Sequence, residues 1–312
     1  MNCFGFDTSN YTTSFACYLP AEERMLSEHI MLRVDKGGMG LRQSDAVFEH
    51  VRNLPEIVKR LSEAVRIKEG DVIAASLRPR SVEDSYMPCF LAGTAVARSL
   101  AELNGLRYME FSHQEGHIAA ALWSADRVDL LKQPHLAWHL SGGTTELLYV
   151  TPSEGMFAVK KLGGTLDISA GQAIDRAGVT LGLSFPAGAE MDRLACLNPS
   201  NNRINTSVKQ MSFNLSGIEN KTRNMFENGL DSAHIAAFVF NTILGAVILT
   251  TQQAVEIYGS LPVLFSGGVS SSSYLRERLS DRFQCVFGKP EFSSDNAAGI
   301  AMLAYLSSEG LF

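Results

Sequence analysis

The chain has 312 residues, of which 46% are hydrophobic and 19% charged, and its formal net charge is −6. A chain of this length can bury a sizeable core and form two domains. The negative balance argues against strong autonomous nucleic-acid binding, because such binding needs lysine and arginine to neutralise phosphates.

The composition also bears on the compartment. The N-terminus has no basic segment followed by an apolar core, so we expect no secretory signal. The longest apolar stretch, residues 235–248, is interrupted by Asn241 and Thr242 and predicts a buried helix rather than a membrane span. The five cysteines are odd in number and form no CxxC pair, which favours reduced thiols in a cytoplasmic protein.

Strand-like apolar runs alternate with helix-like runs over the first hundred residues, a pattern typical of α/β architecture. Residues 4–6 and 14–19 are predicted strands on either side of a polar turn at 7–13. Residues 44–67 are a predicted helix, because their apolar positions recur at spacings of three and four. The next elements are a predicted strand at 72–77 and a predicted helix at 87–103.

A second strand–turn–strand follows, with predicted strands at 136–140 and 146–150 around the sequence Ser-Gly-Gly-Thr-Thr. Two such small-residue turns can each offer backbone N–H groups to phosphate, so a nucleotide would bind between two similar domains. Two unrelated hairpins are the alternative. Further along, a strand at 263–265 runs into a second Ser-Gly-Gly and a helix, and a helix at 296–306 closes the chain.

The sequence His-Gln-Glu-Gly-His at 113–117 places two imidazoles on one helix face, with Cβ atoms about 6 Å apart, so one metal ion can bind both. Two core or solvated histidines are the alternative. Glu115 lies roughly 200° around the helix from His113, and we therefore discount a metallopeptidase, in which Glu directly follows the first His. A third ligand is needed, and Asp295 either supplies it or caps the last helix.

Two aspartates, Asp175 and Asp192, flank a glycine-containing segment at 182–188. Each belongs to a helix-like run, at 169–177 and at 190–195. Carboxylates at such positions can accept hydrogen bonds from ribose hydroxyls. Ordinary solvated helix charges are the alternative.

Together these segments resemble the TsaD-type tRNA adenosine threonylcarbamoyltransferases, once labelled glycoproteases. The matching segments, in the family's order, are 5–9, 91–100, 113–117, 141–147, 167–188, 212–217, 266–270 and 295–296. The resemblance implies an α/β ASKHA fold (actin-like ATPase, RNase H-like) with two similar domains around a central nucleotide cleft. It implies a first domain at 1–110, against which a C-terminal helix at 296–312 packs, and a second domain at 111–295.

The resemblance also implies the chemistry. His113, His117 and Asp295 would hold an iron or zinc ion, and Asp7 and Ser9 would be catalytic. Nine residues would bind an adenine nucleotide or adenylate: Ser141, Gly142, Gly143, Asp175, Gly188, Asp192, Gly267, Gly268 and Ser272. Family members transfer threonylcarbamoyl from an adenylate to tRNA adenosine. The implied partners are a paralogous ASKHA subunit and a small P-loop ATPase, with tRNA reached through the complex and no membrane.

The sequence departs from the family pattern at five places. Asn10 and Tyr11 replace an acidic pair, Thr144 replaces a histidine, residues 78–84 replace a Gly-Pro-Gly stretch, Glu219 replaces a lysine and Ser272 replaces an asparagine. Because the metal and ribose ligands are kept, we expect a divergent paralogue. The alternatives to the transferase are a carbamoyltransferase or kinase acting on a small molecule, with Arg78 and Arg80 as anion-binding residues, and a non-catalytic partner subunit.

Overall fold

The computed structural model describes residues 1–9, 11–33, 41–82, 84–154, 156–197, 201–292 and 296–312. The predicted metal ligand Asp295 and the turn residue Asn10 lie outside these ranges. The strands are β1 (Cys3–Ser9), β2 (Thr12–Leu19), β3 (Arg24–Met31), β4 (Val72–Arg78), β5 (Arg107–Ser112), β6 (His135–Leu140), β7 (Thr145–Ser153), β8 (Met156–Thr165), β9 (Ser212–Phe213), β10 (Val263–Ser266) and β11 (Cys285–Phe287). The helices are α1 (Gln43–Ala64), α2 (Phe90–Leu103), α3 (His113–Ser124), α4 (Ala170–Thr180), α5 (Gly188–Leu197), α6 (Gly217–Glu227), α7 (Ser232–Tyr258), α8 (Ser273–Ser280) and α9 (Asn296–Ser308).

The chain divides into two compact units. Unit 1 comprises Met1–Leu131, Ser153–Phe157 and Glu291–Phe312, and unit 2 comprises Lys132–Pro152 and Ala158–Pro290. Unit 1 therefore includes α3, which the sequence prediction had assigned to the second domain. The difference arises because α3 packs against α9, and the two helices are far apart in sequence.

Each unit is built on a mixed sheet. The strand order is β3-β2-β1-β4-β5 in unit 1 and β11-β10-β6-β7-β8-β9 in unit 2. In both sheets an antiparallel hairpin, β1–β2 or β6–β7, is joined through its first strand to parallel strands. The two predicted hairpins thus occupy equivalent places in the two sheets, and the α/β prediction is confirmed.

The opening turn is shorter than the sequence predicted. Asp7, Thr8 and Ser9 continue β1, Thr12 and Thr13 begin β2, and Ser9 pairs with Thr12. The polar turn predicted at 7–13 was therefore wrong over most of its length. Threonine is β-branched and fits a pleated strand, so the ladder runs through these residues despite their polarity. As a result, Asp7 projects from a strand rather than from a loop.

Both faces of the unit 1 sheet are covered. On one face, aromatic residues of β1 and β2 pack with α1 and α2: Phe4, Phe6 and Phe15. On the other face α9 approaches so closely that side chains are excluded. A Cβ on Gly5 would lie 2.4 Å from the carbonyl oxygen of Ala297 in α9. A Cβ on Gly299 of α9 would lie only 1.8 Å from the carbonyl oxygen of Gly116 in α3. Because α9 meets α3 backbone to backbone, it sets the position of the helix that carries the paired histidines.

Helix α7 forms the core of unit 2. Among the described residues it is the one helix long and apolar enough to cross a membrane, with a mean hydropathy of 1.9, but 83% of that window is buried inside the protein. Its aromatic residues Phe238 and Phe240 belong to the same core as Trp138 and Phe265 of the sheet. The buried helix predicted at 235–248 is therefore confirmed.

Asp167 connects the loop before α4 to the start of α6. Its carboxylate accepts the backbone N–H groups of Ile168 at 2.7 Å, Leu215 at 2.8 Å and Ser216 at 3.0 Å. Burial by itself would raise the pKa of Asp167, but these hydrogen bonds outweigh it and lower the pKa to about 2. The ionised carboxylate thus caps α6 from a distant part of the chain.

Replacing Gly299 tests the backbone contact between α9 and α3. We expect Gly299→Ala to lower the free energy of unfolding by roughly 3 kcal/mol, because the new methyl group meets backbone atoms that have no room to move. Ser307→Ala, a half-exposed position on the same helix, is the matched control and should change stability by less than about 0.5 kcal/mol. Urea unfolding measures both. Equal stability of the two variants would contradict the packing described.

Replacing Asp167 tests the cap on α6. We expect Asp167→Asn to cost roughly 1 kcal/mol near neutral pH, as for other helix caps. The folded-state pKa lies below the ordinary 3.8, so the charge stabilises the protein above about pH 4, and its contribution is lost as the pH falls towards 2. The difference in the free energy of unfolding between wild type and variant should therefore disappear as the pH is lowered from about 4 to 2 in denaturation experiments. Asp281→Asn, at an exposed position in the same unit, should show no such pH-dependent gap.

Candidate functional site

The paired histidines open helix α3 in unit 1. Ser112 ends β5, and its hydroxyl accepts the amide of Glu115, while the Glu115 carboxylate accepts the amide of Ser112 at 2.6 Å. This reciprocal capping box starts the helix at His113. His117 follows one turn later, and the two imidazole rings lie with their centroids 4.6 Å apart.

Glu115 serves the fold rather than metal chemistry. The residue is 4% exposed, and besides capping α3 it accepts the hydroxyl of Ser81 at 2.7 Å. These bonds occupy its carboxylate, in agreement with the sequence argument against a metallopeptidase. The bond to Ser81 also ties the segment after β4 to the start of α3.

Asp7 holds the first histidine. Its Oδ2 lies 2.8 Å from Nδ1 of His113, and its Oδ1 accepts the backbone N–H of Ser9 at 3.1 Å. The Asp7 side chain is 1% exposed and that of His113 is 22% exposed. Burial raises the pKa of a carboxyl, but the His113 ring outweighs it and holds the pKa of Asp7 below its ordinary value. Since Nδ1 faces the carboxylate, Nε2 is the nitrogen of His113 that a metal ion would bind.

The imidazole pair fits a metal such as zinc or iron. Both accept histidine nitrogens, and a carboxylate commonly orients a ligating histidine through its other ring nitrogen. Within the described ranges no three His, Cys, Asp or Glu side chains come together as a metal-binding group. The third predicted ligand, Asp295, lies outside those ranges. Its chain neighbour Asn296 starts α9, and a Cβ on Gly116 would lie 3.2 Å from the Asn296 carbonyl oxygen.

The turn between β6 and β7 in unit 2 is closed by Ser141 and Thr144. The Ser141 amide donates to the Thr144 carbonyl at 2.8 Å, and the Ser141 hydroxyl accepts the Thr144 amide at 3.0 Å. The two glycines between them are exposed, and a Cβ on either would meet no atom within 4 Å. In the part of the chain that the structure describes, the N–H groups of Gly142 and Gly143 form no hydrogen bond. The turn therefore presents two adjacent donors that suit an anion.

Helix α4 supports this turn through its carbonyl groups. The Ser169 hydroxyl donates to the Gly142 carbonyl at 2.6 Å, and the Gly171 amide donates to the Ser141 carbonyl at 3.2 Å. A Cβ on Gly171 would lie 2.6 Å from the Cα of Gly142, so only glycine permits this approach. With its carbonyls engaged by α4, the turn keeps its amides for a ligand.

The second Ser-Gly-Gly follows the neighbouring strand. Strand β10 runs parallel to β6 with Ser266 opposite His139, so both strands end at the same edge of the sheet. Gly267 has a φ of +88°, and a Cβ there would lie 2.4 Å from the carbonyl oxygen of Leu140. Gly268 faces open space. The structure thus brings both predicted Gly-Gly turns to the carboxyl edge of the sheet, where ligands of α/β proteins commonly bind.

Asp175 keeps an acceptor for a ligand. One carboxylate oxygen accepts the Ala187 amide at 2.8 Å, and the other forms no hydrogen bond with any described residue. Burial raises the pKa of Asp175. Gly188, predicted with it, begins α5, and a Cβ there would meet no atom within 4 Å. This arrangement suits the predicted contact with ribose.

Asp192 and Ser272 form a hydrogen bond with each other, so their polar groups are already engaged within the protein. The Asp192 carboxylate accepts the Ser272 hydroxyl and the amides of Ser273 at 3.0 Å and Tyr274 at 3.2 Å. All three donors lie at the start of α8, whose N-terminus the carboxylate caps. Both residues were predicted to bind adenylate, and the structure uses them to join α5 to α8.

Sequence reasoning did not select His139. It lies two residues before Ser141, opposite Ser266 on β10 and Glu146 on β7. A histidine in a mostly apolar strand is usually part of the core, as His135 at the start of β6 is. The available signal was its position directly before a Ser-Gly-Gly turn.

Comparisons with known proteins agree with the sequence resemblance. Residues 27–302 match the family described as TsaD, tRNA N6-adenosine threonylcarbamoyltransferase. This range includes the histidine pair and both Gly-Gly turns but begins after Asp7 and Ser9.

Several solved structures share the fold. Full-length HypF in the phosphate- and nucleotide-bound form has a TM-score of 0.65 and 13% identity, covering 99% of this chain and 46% of that one. The chain thus spans about half the length of HypF. The activator of the 2-hydroxyisocaproyl-CoA dehydratase from Clostridium difficile with bound ADPNP has a TM-score of 0.55 and 13% identity. The match covers 100% of this chain and 97% of the activator. A ROK family glucokinase from Streptomyces griseus in complex with glucose and AMPPNP has a TM-score of 0.53 and 13% identity. The match covers 99% of this chain and 100% of the glucokinase.

At these identities the structural likeness shows the fold alone, which is the predicted ASKHA fold. The family match shows more, because it covers most of the sequence. The chain belongs to the TsaD family of tRNA N6-adenosine threonylcarbamoyltransferases.

Proposed function

We propose that the protein transfers a threonylcarbamoyl group from an adenylate to an adenosine of tRNA, with one iron or zinc ion as cofactor. The observation that carries the proposal is the family match over residues 27–302. The geometry supports it at two places: the oriented imidazole pair in unit 1 and the open Gly-Gly turns in unit 2.

In unit 2 the amides of Gly142 and Gly143 would bind the phosphate of the adenylate, and the available oxygen of Asp175 would accept a ribose hydroxyl. The amides are held by the bonds between Ser141 and Thr144. They can therefore stabilise charge on the leaving phosphate without reorganising during the reaction. This is the part of the catalysis that the described residues supply most directly.

In unit 1, His113 and His117 would hold the metal ion, which when bound acts as a Lewis acid on an oxygen of the substrate. Asp295 is our proposed third ligand, supported by the position of its neighbour Asn296 beside Gly116. Asp7 was expected to be catalytic. Because it is 1% exposed and bonded to His113, we assign it the role of a positioning residue, with the Ser9 amide as its second hydrogen-bond donor.

The proposed setting is the cytoplasm, with a paralogous ASKHA subunit and a small P-loop ATPase as partners. The net charge of −6 supports the idea that tRNA binds through such a complex, since acidic residues outnumber basic ones in the chain and its overall charge repels a phosphate backbone.

A second candidate function is transfer to a small anionic acceptor. Arg78 ends β4 opposite Ser112, the residue before His113. It is exposed and forms no ion pair with the described residues. A guanidinium group in this position favours a carboxylate or phosphate ligand near the start of α3.

Metal analysis tests the imidazole pair. We expect His113→Ala and His117→Ala to lose the bound metal, and Asp7→Asn to weaken metal affinity by about 10–100-fold, because the ring of His113 loses its orienting carboxylate. Elemental analysis and chelator competition measure this. His29→Ala, an exposed histidine on β3 of the same unit, is the matched control and should keep full metal content. Full metal content in both variants of the pair would refute the assignment.

A transfer assay tests the reaction, with the adenylate, anticodon-loop RNA, metal and partner subunits supplied. We expect product from wild type and a loss of about 100-fold in Gly143→Val. A Cβ on residue 143 would meet no atom within 4 Å, so we expect the thermal unfolding of the variant to match wild type.

The outcomes of this assay separate the alternatives. No product from wild type, while an authentic enzyme works alongside, would reject the proposal. Product with a small carboxylate or phosphate acceptor instead of RNA would favour the second function. Nucleotide binding without product from any acceptor would indicate a non-catalytic subunit.

A further inference from the structure

A pocket of about 430 Å³ lies in unit 2 between the start of α6, strand β9 and the segment 204–209. Its volume is within the range of small-molecule sites. Apolar and polar side chains both line it, among them Leu166, Phe213, Ile218, Asn205, Lys209 and Asn214. Among the described residues that line the pocket, none is acidic. The proposed function uses none of these residues, so the pocket is a second candidate site in the same unit.

The pocket is close to the glycine turn between β6 and β7. Leu166 lines the pocket, and Ser169, three residues further on, donates its hydroxyl to the carbonyl of Gly142 at 2.6 Å. Three residues span at most about 11 Å, so the Cα atoms of Leu166 and Ser169 lie within that distance of each other. Asp167 belongs to the same loop and holds the start of α6 through its backbone amides. A ligand in the pocket would therefore lie beside the adenylate that the turn is proposed to bind.

The turn that carries Lys209 has a strained backbone. Lys209 and Ser212 exchange two backbone hydrogen bonds of 2.9 Å, and the residues between them, Gln210 and Met211, have φ of +49° and +59°. Residues with a side chain rarely adopt this left-handed region. The Gln253 side chain of α7 accepts the Met211 amide at 2.9 Å and so helps to hold the turn. Strain of this kind persists where the surrounding structure fixes it, and it is common at ligand-binding sites.

The side chains at the pocket suit a nucleotide. Lys209 is exposed and forms no ion pair with the described residues, so its charge is available to a phosphate. Asn205 and Asn214 are also exposed, and their carboxamides form no hydrogen bond with the described residues. Each carboxamide offers an acceptor and two donors, which are the groups that recognise the edge of a base. Leu166, which is 73% exposed, adds apolar surface for the face of the base.

We propose that this pocket binds one unpaired nucleotide of the acceptor RNA, an inference that rests on the proposed function. Lys209 contacts the phosphate of that nucleotide, and Asn205 and Asn214 hydrogen-bond to its base. Recognition of RNA by sequence commonly uses bases of this kind, because bases that are unstacked in a loop expose their edges. The net charge of the chain is −6, so the pocket sets the register of an RNA whose affinity comes largely from the partner subunits.

The first test measures RNA affinity in the complex with the partner subunits, by fluorescence anisotropy of a labelled anticodon stem-loop RNA. We expect Lys209→Ala to weaken binding about fivefold at low salt and to reduce the slope of log Kd against log salt concentration by about one, as for the loss of one phosphate contact. Lys160→Ala, an exposed lysine on β8 outside the pocket, is the matched control and should change neither quantity. A wild-type Kd and slope in Lys209→Ala would overturn the proposal.

The second test removes single bases from the RNA loop. At one position an abasic substitution should weaken binding to wild type about tenfold. The same substitution should weaken binding to Asn214→Ala much less, because that variant has already lost a contact with the base. Asn220→Ala, an exposed asparagine of α6 outside the pocket, should respond to every abasic RNA as wild type does. A merely structural role of Asn214 would not depend on the position of the missing base, and the absence of any such position would overturn the proposal.

The transfer assay separates this inference from the proposed function. If wild type modifies the RNA, and Lys209→Ala and Asn214→Ala keep its KM for RNA, the pocket is not an RNA site although the function stands. If the two variants bind the adenylate more weakly and the RNA as tightly as wild type, the pocket belongs to the adenylate and the inference is wrong. If wild type neither binds nor modifies the RNA with every component supplied, the inference fails together with the proposed function.

Discussion

The contact on which unit 1 depends is the hydrogen bond between Asp7 and His113. A carboxylate that is 1% exposed is costly unless it is paired, and Asp7 finds its partners in the His113 ring and the Ser9 amide. Because Asp7 belongs to the central strand β1 and His113 begins α3, one bond orients the imidazole relative to the sheet. The glycine contact between α9 and α3 holds the helix from its other side.

The two units use the same strand arrangement to position different candidate groups. In unit 1 the strands β1 and β2 carry a buried aspartate that contacts a histidine. In unit 2 the corresponding hairpin ends in a glycine turn whose carbonyls are held by α4 and whose amides are open. Strand β10 adds a second Gly-Gly at the same edge, and Gly267 packs on Leu140 where no larger residue fits.

Some departures from the family pattern have local structural reasons. Glu219, which stands in place of a lysine, pairs with Arg176 at 2.9 Å and so joins α6 to α4. The pair is exposed and contributes little to stability, but it shows that the charge change has a partner. Ser272, in place of an asparagine, donates to Asp192 at the start of α8. In the altered segment after β4, the Ser81 hydroxyl donates to Glu115 of α3. These replacements are integrated into the fold.

The sequence by itself determined what depends on neighbouring residues. Apolar spacing indicated the α/β class and the buried α7, and the i, i+4 spacing placed two imidazoles on one helix face. The Ser-Gly-Gly turns were also recognisable, since glycine at a strand end is a local signal. Local signals gave a wrong prediction at residues 7–13. The polar residues there are typical of a turn, but most of them continue the antiparallel pairing of β1 and β2.

Only the tertiary structure decided the roles that depend on distant partners. Asp7 and His113 are 106 residues apart, and His139 and Ser266 are 127 apart, so no local pattern could show that the first aspartate orients the His113 ring or that His139 lies beside Ser266. The same holds for Asp192, whose carboxylate looks available in the sequence but is taken by α8. The sequence specifies which side chains are present. Strand register and helix packing determine which of their hydrogen-bonding groups are engaged within the protein and which are available to a ligand.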